Sequence, residues 1–388
     1  MHIAFDAAPL VKKQKSGVGF AQADAVLSLS RTHPKDRFSL LYFSLRAPKK
    51  KRGYLASYLL PNVELVACPF YTGRFYRATN GLFPLPFSMF FPRRADVTHF
   101  FDFIIPPGVK GKKVVSVPDT AYLHYPESVS PLKRLLLKWN MRSSLSRADR
   151  VITASAYMHD ELVEYYGIAP EKVRVIYNSL DATRFHAGLD PARAAHVARR
   201  YGIEGDYILY MGALEPRKNL ARLIDAYADL VSKMGDRAPR LVLAGRRGFR
   251  HEHLEKHVAA RSLEERVIFC GYVEEKDKPY LLCGARLFAF PSLSEGVCAP
   301  VLEAMACGTP VLTSAVAALP EVCADAPYYV DPESVTKIRD GLWSLLTDET
   351  LRNTCIERGL SRAAEPIFSR EKNAEKLYGV YCELCEKD

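Results

Sequence analysis

The stretch that decides the fold reads EGVCAPVLEAMACGTPV and occupies residues 295–311. It follows an apolar run at Leu287–Phe290 that is typical of a buried strand, and it continues into a helix that ends near Gly308. The start of such a helix presents free backbone N–H groups and the positive end of its dipole, which favour an anion such as a diphosphate. If Glu295 lies in the loop and Glu303 on the helix, both carboxylates face one crevice and can accept hydrogen bonds from sugar or ribose hydroxyls. The alternative for Glu303 is a solvated position on the helix surface.

Short apolar runs on either side of this stretch predict two arrays of strands and helices. In the second half the strands are expected at Tyr207–Met211, Arg240–Ala244, Val267–Phe269, Leu287–Phe290, Pro310–Thr313 and Tyr328–Val330. In the first half they are expected at His2–Asp6, Arg37–Phe43, Val63–Cys68, Val97–Phe101, Lys112–Val117, Arg150–Ala154 and Val173–Tyr177. The runs are nearly continuous rather than alternating, as in a parallel sheet that helices cover on both faces.

Two such arrays predict an α/β protein with two doubly wound, Rossmann-like domains, whose ligands bind at the carboxyl ends of the strands. We place the first domain at residues 1–185 and the second at residues 186–369. The last helix, over residues 370–388, is expected to complete the first domain. A length of 388 residues fits two domains better than one.

The composition excludes several classes of protein. Hydrophobic residues make up 48% and charged residues 25% of the chain, which is ordinary for a globular protein. No run approaches the roughly 18 apolar residues of a spanning helix, and the N-terminus does not read as a signal peptide. The nine cysteines are scattered, as in a reducing compartment. These features predict a cytoplasmic protein. No Asp-x-Asp pair or His cluster implies a metal cofactor.

The positive charge is concentrated in the first half. Residues 1–185 carry 27 Lys and Arg against 14 Asp and Glu, whereas residues 186–388 carry 27 against 30. This asymmetry indicates an anionic partner, and contact with the inner face of a membrane through residues 46–52 and 70–94 would suit their cations and aromatic rings. The alternative for residues 70–94 is an aromatic-rich loop that packs on its own domain. A nucleic-acid partner is not expected, because no recognition motif is present.

The chain resembles the retaining glycosyltransferases of family 4, whose GT-B fold consists of two facing Rossmann-like domains with the donor site in the cleft. The resemblance rests on the Glu-x7-Glu block at residues 295–303 and on GALEPRKNL at residues 212–220. Shorter matches lie at residues 175–178, 271–273 and 318–321, so that nearly the whole second domain is covered. In the first domain the match is thinner, at Ser16–Gly19, Asp119 and the pair Pro126-Glu127.

The resemblance implies a role for each matching position. Arg217 and Lys218 would hold the donor diphosphate, and two cations at a helix start are better explained by an anionic ligand than by a basic surface. Glu303 would bind the ribose, and Glu295 with residues 296–299 would hold the transferred sugar and phosphate. The predicted catalytic residues are Arg217, Lys218 and Glu295. The predicted donor-binding residues are Gly17, Gly19, Arg217, Lys218, Gly245, Gly271, Tyr272, Val273, Glu295, Gly296, Val297, Cys298, Ala299 and Glu303. Asp119 and His124 are predicted on the acceptor side.

Four positions depart from the family pattern. Many relatives carry a His-Asp pair where this chain has Pro118 and Asp119, and a proline can neither donate a proton nor titrate. His124 is a possible substitute. Val297 and Cys298 replace a common Phe and Gly, and Ser179 replaces a usual glycine. These differences leave the acceptor position open and indicate an unusual donor or acceptor, with a weakened enzyme as the alternative.

The expected reaction is transfer of a sugar from a nucleotide diphosphate sugar to a hydroxyl acceptor, with retention and without a metal. No side chain of the motif is an obvious nucleophile, so the resemblance favours a front-face route. Mannose from GDP-mannose follows from family prevalence alone, and the basic first domain favours a lipid-linked or cell-surface glycan precursor as acceptor. The alternatives are another nucleotide-sugar enzyme on this scaffold and a non-catalytic sugar-nucleotide or polyanion binder. An NAD enzyme is not expected, because no Gly-x-Gly-x-x-Gly follows the first strand.

Overall fold

The chain forms two α/β units in the computed structural model, which describes residues 1–73, 76, 85–246, 248 and 252–386. Unit 1 comprises Met1–Thr120, Pro131–Ser179 and Ile367–Asp388, and unit 2 comprises Ala121–Ser130 and Leu180–Pro366. The chain therefore enters unit 2 at residue 180, before the position of 185 given by the sequence. It also enters unit 2 over residues 121–130, a segment that the sequence assigned to the first domain.

Unit 1 contains a seven-stranded parallel sheet. Its strands are β1 (His2–Asp6), β2 (Arg37–Phe43), β3 (Val63–Cys68), β4 (Val97–Phe100), β5 (Lys112–Ser116), β6 (Arg150–Thr153) and β7 (Val173–Val175), in the order β3-β2-β1-β4-β5-β6-β7. Its α-helices span Gly17–Thr32, Pro48–Leu55, Pro131–Arg147, Ala156–Tyr166 and Arg370–Cys385. Ile3 pairs with Phe38 on one side and with Val97 on the other, and all three are fully buried. Such strands read as continuous apolar runs because helices cover both faces of the sheet.

The C-terminal helix Arg370–Cys385 packs into unit 1. Tyr381 is fully buried, and its hydroxyl lies 2.7 Å from Nδ1 of His99 on β4. Tyr378 donates a hydrogen bond of 2.5 Å to Asp36. Burial lowers the pKa of His99 to about 3, so this histidine is a neutral member of the core.

Unit 2 contains a six-stranded parallel sheet with the same kind of strand order. Its strands are β8 (Tyr207–Met211), β9 (Arg240–Ala244), β10 (Val267–Gly271), β11 (Leu287–Phe290), β12 (Val311–Ser314) and β13 (Tyr328–Val330), in the order β10-β9-β8-β11-β12-β13. Its α-helices span Ala121–His124, Pro191–Arg200, Leu220–Met234, Glu252–Ala260, Lys278–Cys283, Ala299–Ala306, Leu319–Cys323, Val335–Thr347 and Glu349–Ala363. The strand order reverses between β8 and β11, which brings the loops after these two strands together at the carboxyl edge.

Short 3₁₀ turns connect several of these elements. They span Ala56–Tyr58, Phe87–Met89, Pro126–Ser128, Pro170–Lys172, Pro216–Lys218, Gly235–Arg237 and Pro366–Phe368. Within the described ranges, none of the helices combines the length and the apolar character needed to cross a bilayer.

Most of the described aromatic rings of residues 70–94 pack inside unit 1. The ring of Phe43 on β2 lies 5.1 Å from that of Tyr76 and 5.3 Å from that of Phe91, measured between centroids. Tyr76, Phe87 and Phe91 are buried, as a loop packed on its own domain requires, whereas Phe70 is exposed. Several cations and rings of this segment, at residues 74, 75, 77 and 83, lie outside the described residues.

The basic run near residue 50 lies on the helix Pro48–Leu55. Lys49, Lys50 and Arg52 are exposed. Lys51 instead donates hydrogen bonds to the carbonyl oxygens of Phe43 (2.9 Å) and Leu45 (3.2 Å), which satisfies backbone groups at the end of β2. Three of the four cations are therefore available to a partner, and the fourth is structural.

Candidate functional site

Arg217 and Lys218 lie on the 3₁₀ turn Pro216–Lys218, directly after the loop that leaves β8. The turn ends at Asn219, whose φ of 61° places it in the left-handed region that asparagine tolerates. The Asn219 side chain donates to the carbonyl oxygens of Pro291 (3.0 Å) and Pro332 (2.6 Å). This one side chain fixes the start of the helix Leu220–Met234 and the loop after β11 together.

Glu295 joins the two cations. Its Oε2 lies 3.1 Å from Nη1 of Arg217, and its Oε1 contacts Nζ of Lys218 and accepts a hydrogen bond of 2.6 Å from Ser292. Glu295 is 3% exposed and Lys218 is 7% exposed. Both oxygens of the carboxylate are thus occupied by protein groups, and the cations are held in place by a buried charge of opposite sign.

Burial alone would raise the pKa of Glu295, but the positive charges of Arg217 and Lys218 and the hydrogen bonds from Lys218 and Ser292 lower it. The carboxylate is therefore ionised. Burial and the neighbouring guanidinium of Arg217 lower the pKa of Lys218, and Glu295 opposes that shift. A second carboxylate, Glu215, lies 3.6 Å from Nε of Arg217, so the four groups together carry no net charge.

Backbone hydrogen bonds join the loops after β8 and β11. The N–H of Leu293 donates to the carbonyl of Arg217 at 2.9 Å, and Oγ of Ser292 lies 3.1 Å from the same oxygen. In return, Nη1 of Arg217 donates to the carbonyl of Ser294 at 2.8 Å. These contacts are possible because β8 and β11 are neighbours at the point where the strand order reverses.

The helix Ala299–Ala306 begins immediately after this loop. Its N-cap residue, Cys298, makes no side-chain capping bond, and Pro300 occupies its first turn. Ala318 donates its backbone N–H to the carbonyl of Glu295 at 3.1 Å, which holds the loop from the other side. The buried thiol of Cys298 faces that of Cys323, and the contact and burial raise the pKa of Cys298 well above its usual range.

Glu303 lies one helical turn further along and is half-buried. Among the described residues, no group donates a hydrogen bond to its carboxylate or pairs with it. Burial raises its pKa to about 7, while Lys278 and Arg184 act to lower it and Glu275 to raise it. This carboxylate therefore gains most from hydroxyl donors supplied from outside the protein.

The glycines predicted for the nucleotide base lie at the carboxyl ends of β9 and β10. Gly245 donates its N–H to the carbonyl of Gly271 at 2.7 Å, and a Cβ on Gly245 would lie 1.7 Å from the carbonyl oxygen of Gly212. No other residue fits at Gly245. Tyr272 is half-buried and Val273 is buried. Positions 245 and 271–273 therefore belong to the same edge of the sheet as the cation cluster.

The remaining predicted residues are divided between the units. Gly17 and Gly19 lie at the start of the helix Gly17–Thr32 in unit 1, and a Cβ on Gly19 would lie 3.1 Å from the carbonyl oxygen of Pro9. Asp119 also belongs to unit 1, whereas His124 is exposed at the end of the helix Ala121–His124 in unit 2. The structure of unit 2 thus brings together Arg217, Lys218, Glu295 and the loop 296–299.

Sequence reasoning missed the contribution of residues 121–130 to this site. Ser128 accepts a hydrogen bond of 3.1 Å from the backbone N–H of Arg217, and the hydroxyl of Tyr125 donates to the carbonyl of Leu293 at 3.0 Å. Ser292, Glu215 and the anchoring amide of Asn219 were also missed. The pair Pro126-Glu127 had belonged to the family resemblance, but nothing in the sequence pattern linked it to unit 2.

Comparison with known proteins identifies the family. The family described as Glycosyl transferases group 1 matches residues 199–362, and the one described as Glycosyltransferase Family 4 matches residues 24–184. The O-antigen chain mannosyltransferase B of Escherichia coli is 31% identical over 286 residues, which cover 74% of this chain and 74% of that protein. The chain belongs to the family 4 glycosyltransferases. The resemblance predicted from its motifs is thereby confirmed.

Solved structures agree on the fold of this glycosyltransferase. The sucrose-phosphate synthase of Thermosynechococcus elongatus has a TM-score of 0.77 at 16% identity, with all of both chains covered. HepE from Anabaena, solved in complex with UDP and glucose, has a TM-score of 0.74 at 19% identity and covers 99% of this chain and 100% of its own. The predicted GT-B fold, built from two Rossmann-like parallel α/β units, is confirmed.

Proposed function

We propose that this glycosyltransferase moves mannose from GDP-mannose to a hydroxyl of a glycan precursor, with retention at the anomeric carbon. The observation that carries the proposal is the cluster of the half-buried Arg217 with the buried Lys218 and Glu295 at the carboxyl edge of unit 2, beside the start of the helix Ala299–Ala306. Two fixed cations beside a helix start are suited to a diphosphate leaving group. The O-antigen chain mannosyltransferase supports mannose as the sugar and a surface glycan as the acceptor.

In the proposed reaction, Arg217 and Lys218 stabilise the negative charge that builds on the departing diphosphate. Glu295 holds both cations in position before the donor binds, so little reorganisation is needed at the moment of reaction. Because both of its oxygens already contact protein donors, Glu295 is a poor nucleophile. This supports a front-face route, in which the leaving diphosphate accepts the proton of the attacking hydroxyl. In this proposal the side chains of Arg217 and Lys218 neutralise the charge of the diphosphate, and no metal is needed.

Glu303 is proposed to accept hydrogen bonds from the two ribose hydroxyls. Its carboxylate lacks protein donors among the described residues, and its pKa of about 7 shows that the ionised form is poorly solvated there. Two hydroxyl donors would stabilise that form. The glycines at positions 245 and 271, with Tyr272 and Val273, are proposed to receive the base, and Gly17 and Gly19 remain predicted donor-binding residues. Asp119 and His124 are proposed to serve the acceptor.

The first test is thermal stabilisation of the protein by GDP, UDP and ADP, with Lys218→Ala and Glu303→Ala as variants. A ligand that binds only the folded state raises the melting temperature by mass action. We expect GDP to give the largest shift and both substitutions to abolish it, while Glu357→Ala, at an exposed acid of the helix Glu349–Ala363, leaves it unchanged. A preference for UDP, which is the nucleotide bound to HepE, would overturn the guanosine assignment.

Transfer itself is tested with GDP-mannose and a panel of glycan acceptors. Mannosyl transfer or slow donor hydrolysis by the parent, lost in Lys218→Ala, would support the enzyme. A protein that binds GDP tightly but neither transfers nor hydrolyses would instead be a sugar-nucleotide binder, and the catalytic role of Lys218 would be wrong. The anomeric configuration of the first product decides between retention and inversion.

A further inference from the structure

The helix Pro131–Arg147 of unit 1 carries an apolar face that its own unit does not cover. Leu132, Leu135 and Trp139 are 68%, 49% and 66% exposed. Their spacing of three, four and seven residues places them on one side of the helix. Single exposed apolar side chains are common on protein surfaces, but three large ones along one helix face indicate a binding surface.

The opposite face of this helix is fixed to unit 1. Leu137, Met141 and Leu145 are buried, and the buried hydroxyl of Ser144 accepts from the N–H of Ile105 and donates to the carbonyl of Phe103, at 2.8 and 2.9 Å. The helix is therefore a rigid part of the fold. Its exposed face does not result from an unpacked or loosely attached segment.

The charges on the helix define the partner that this face fits. The sequence PLKRLLLKWNMRSSLSR contains five Lys and Arg and no Asp or Glu. Lys138 and Arg142 are exposed, one residue before and three residues after Trp139, so that cations border the apolar face. A partner must accordingly be anionic and able to take up apolar side chains at the same place.

A bilayer surface that contains anionic lipids meets both requirements. Tryptophan is enriched at the depth of the headgroups, where its ring is buried and its N–H remains hydrogen-bonded, and lysine and arginine next to it reach the lipid phosphates. A second copy of this chain fits poorly, because two such faces would bring cations against cations. A nucleic acid would bind the cations through its phosphates, but it would not bury the leucine side chains.

We propose that the helix Pro131–Arg147 docks on an anionic lipid bilayer, with Trp139 at headgroup depth and its axis in the plane of the membrane. This surface differs from the two segments considered above, residues 46–52 and 70–94. Most of the described aromatic rings of residues 70–94 pack within unit 1. The proposal does not rest on the identity of the donor. If the proposed function holds, docking would bring the enzyme to the membrane leaflet in which a lipid-linked acceptor is held.

The chain offers a direct optical test, because it contains two tryptophans, Trp139 and Trp343. In the variant Trp343→Phe, Trp139 is the only indole. We expect its fluorescence to shift to shorter wavelength with vesicles of equimolar phosphatidylglycerol and phosphatidylcholine, and to stay unchanged with phosphatidylcholine alone. Brominated lipids should quench it. No shift and no quenching with the anionic vesicles would overturn the proposal.

Binding to the same vesicles, measured by flotation, tests the role of the charges. Lys138→Gln and Arg142→Gln should each weaken binding about fivefold, as removal of one cation near an anionic surface does. The matched control is Arg199→Gln, an exposed cation on the helix Pro191–Arg200 of unit 2, which should bind like the parent. Equal losses in all three variants would mean that net charge, rather than this helix, drives binding.

The apolar residues are tested in the same way. Leu132→Ser and Leu135→Ser should weaken vesicle binding, whereas Tyr165→Ser, at a similarly exposed ring on the helix Ala156–Tyr166, should not. All these variants should keep the melting temperature of the parent and its shift with nucleotide, which separates this test from that of the donor site. If the sedimentation mass instead rises with protein concentration and these substitutions abolish the rise, the face is a protein interface and the lipid proposal is wrong.

Discussion

The loop that carries Glu295 and the helix that carries Glu303 follow each other directly, yet the pKa of the buried Glu295 is lowered and that of the half-buried Glu303 is raised. Burial acts to raise the pKa at both positions. In the loop, Arg217, Lys218 and Ser292 reverse this effect and lower the pKa of Glu295. On the helix, the described residues donate no hydrogen bond to Glu303. Lys278 and Arg184 do not offset burial, and the pKa of Glu303 rises to about 7. The two glutamates of one sequence motif thus have pKa values shifted in opposite directions.

The difference shows what each region contributes. A buried carboxylate whose partners all come from the protein is part of the scaffold, and here it holds two cations in place. A carboxylate without such partners is destabilising by itself, and it is retained where a ligand supplies the missing donors. On this basis we propose that the loop compensates charge and that Glu303 on the helix recognises the ligand.

The strongest test of this assignment is Glu295→Ala. The substitution leaves the buried Lys218 without its counter-charge and leaves Arg217 with Glu215 alone, and removing one partner of a buried pair costs about 3–5 kcal/mol. We expect the free energy of unfolding, measured by urea denaturation at pH 7, to fall by that amount. Glu357→Ala, at an exposed acid, should change it by less than about 0.5 kcal/mol. Equal stability of the two variants would contradict a compensating role for Glu295.

A double variant refines this result. Lys218→Met replaces the buried ammonium with an apolar chain of similar length, so Glu295→Ala should cost less in that background than in the parent. The double-mutant cycle then gives the coupling energy between the two residues. Strict additivity would mean that the loss in Glu295→Ala comes from packing rather than from charge.

Glu303→Gln should affect nucleotide affinity. Hydrogen bonds to a charged group contribute about 1.5–3 kcal/mol, so we expect the dissociation constant of the preferred nucleotide to rise about 10- to 100-fold. In the parent, affinity should fall as the pH drops below about 7, because protonated Glu303 must lose its proton to accept two hydroxyls. The variant should lose this pH dependence. A variant that retains the parent's slope in isothermal titrations from pH 6 to 8 would contradict the role of Glu303.

The same variant should gain stability at high pH. The pKa of Glu303 is raised from 4.5 to about 7 in the folded state, so between these values the folded state binds more protons and its stability falls as the pH rises. Linkage limits the cost above pH 7 to about 3 kcal/mol, and partial exposure of the side chain reduces it. Glu303→Gln should thus unfold at higher urea than the parent at pH 8, and at the same concentration at pH 4. A variant less stable at pH 8 would show that Glu303 has partners within the fold.

Most of the fold could be predicted from the sequence because its strands are buried on both faces. β2, β8 and β11 have the predicted bounds, and each is a nearly continuous apolar run. β12 begins at Val311 rather than at the predicted Pro310, because proline has no N–H to donate to a neighbouring strand. Residues 121–130 could not be assigned to unit 2, because a ten-residue segment with only short helical turns has no periodic pattern that shows where it packs.

The candidate site was predicted in part. The family resemblance identified Arg217, Lys218 and Glu295 as functional candidates, and the structure places them in contact. Their partnership could not be foreseen, because 77 residues separate Lys218 from Glu295 and their meeting depends on the neighbouring positions of β8 and β11. The different environments of Glu295 and Glu303 depend on the same tertiary contacts.

The smallest expected effect concerns the segment that sequence reasoning missed. Ser128→Ala removes the acceptor of the Arg217 backbone N–H, a neutral hydrogen bond that contributes about 0.5–1.5 kcal/mol. If this bond positions Arg217 for the diphosphate, kcat should fall about 3- to 10-fold while the dissociation constant of the nucleotide changes little. Ser128→Thr keeps the hydroxyl and should restore the rate, and Ser232→Ala, at an exposed serine of the helix Leu220–Met234, should have no effect. A threonine variant as slow as the alanine variant would show that Ser128 acts by packing. The charge compensation of Arg217 and Lys218 would then depend on residues 212–219 and 291–298 alone.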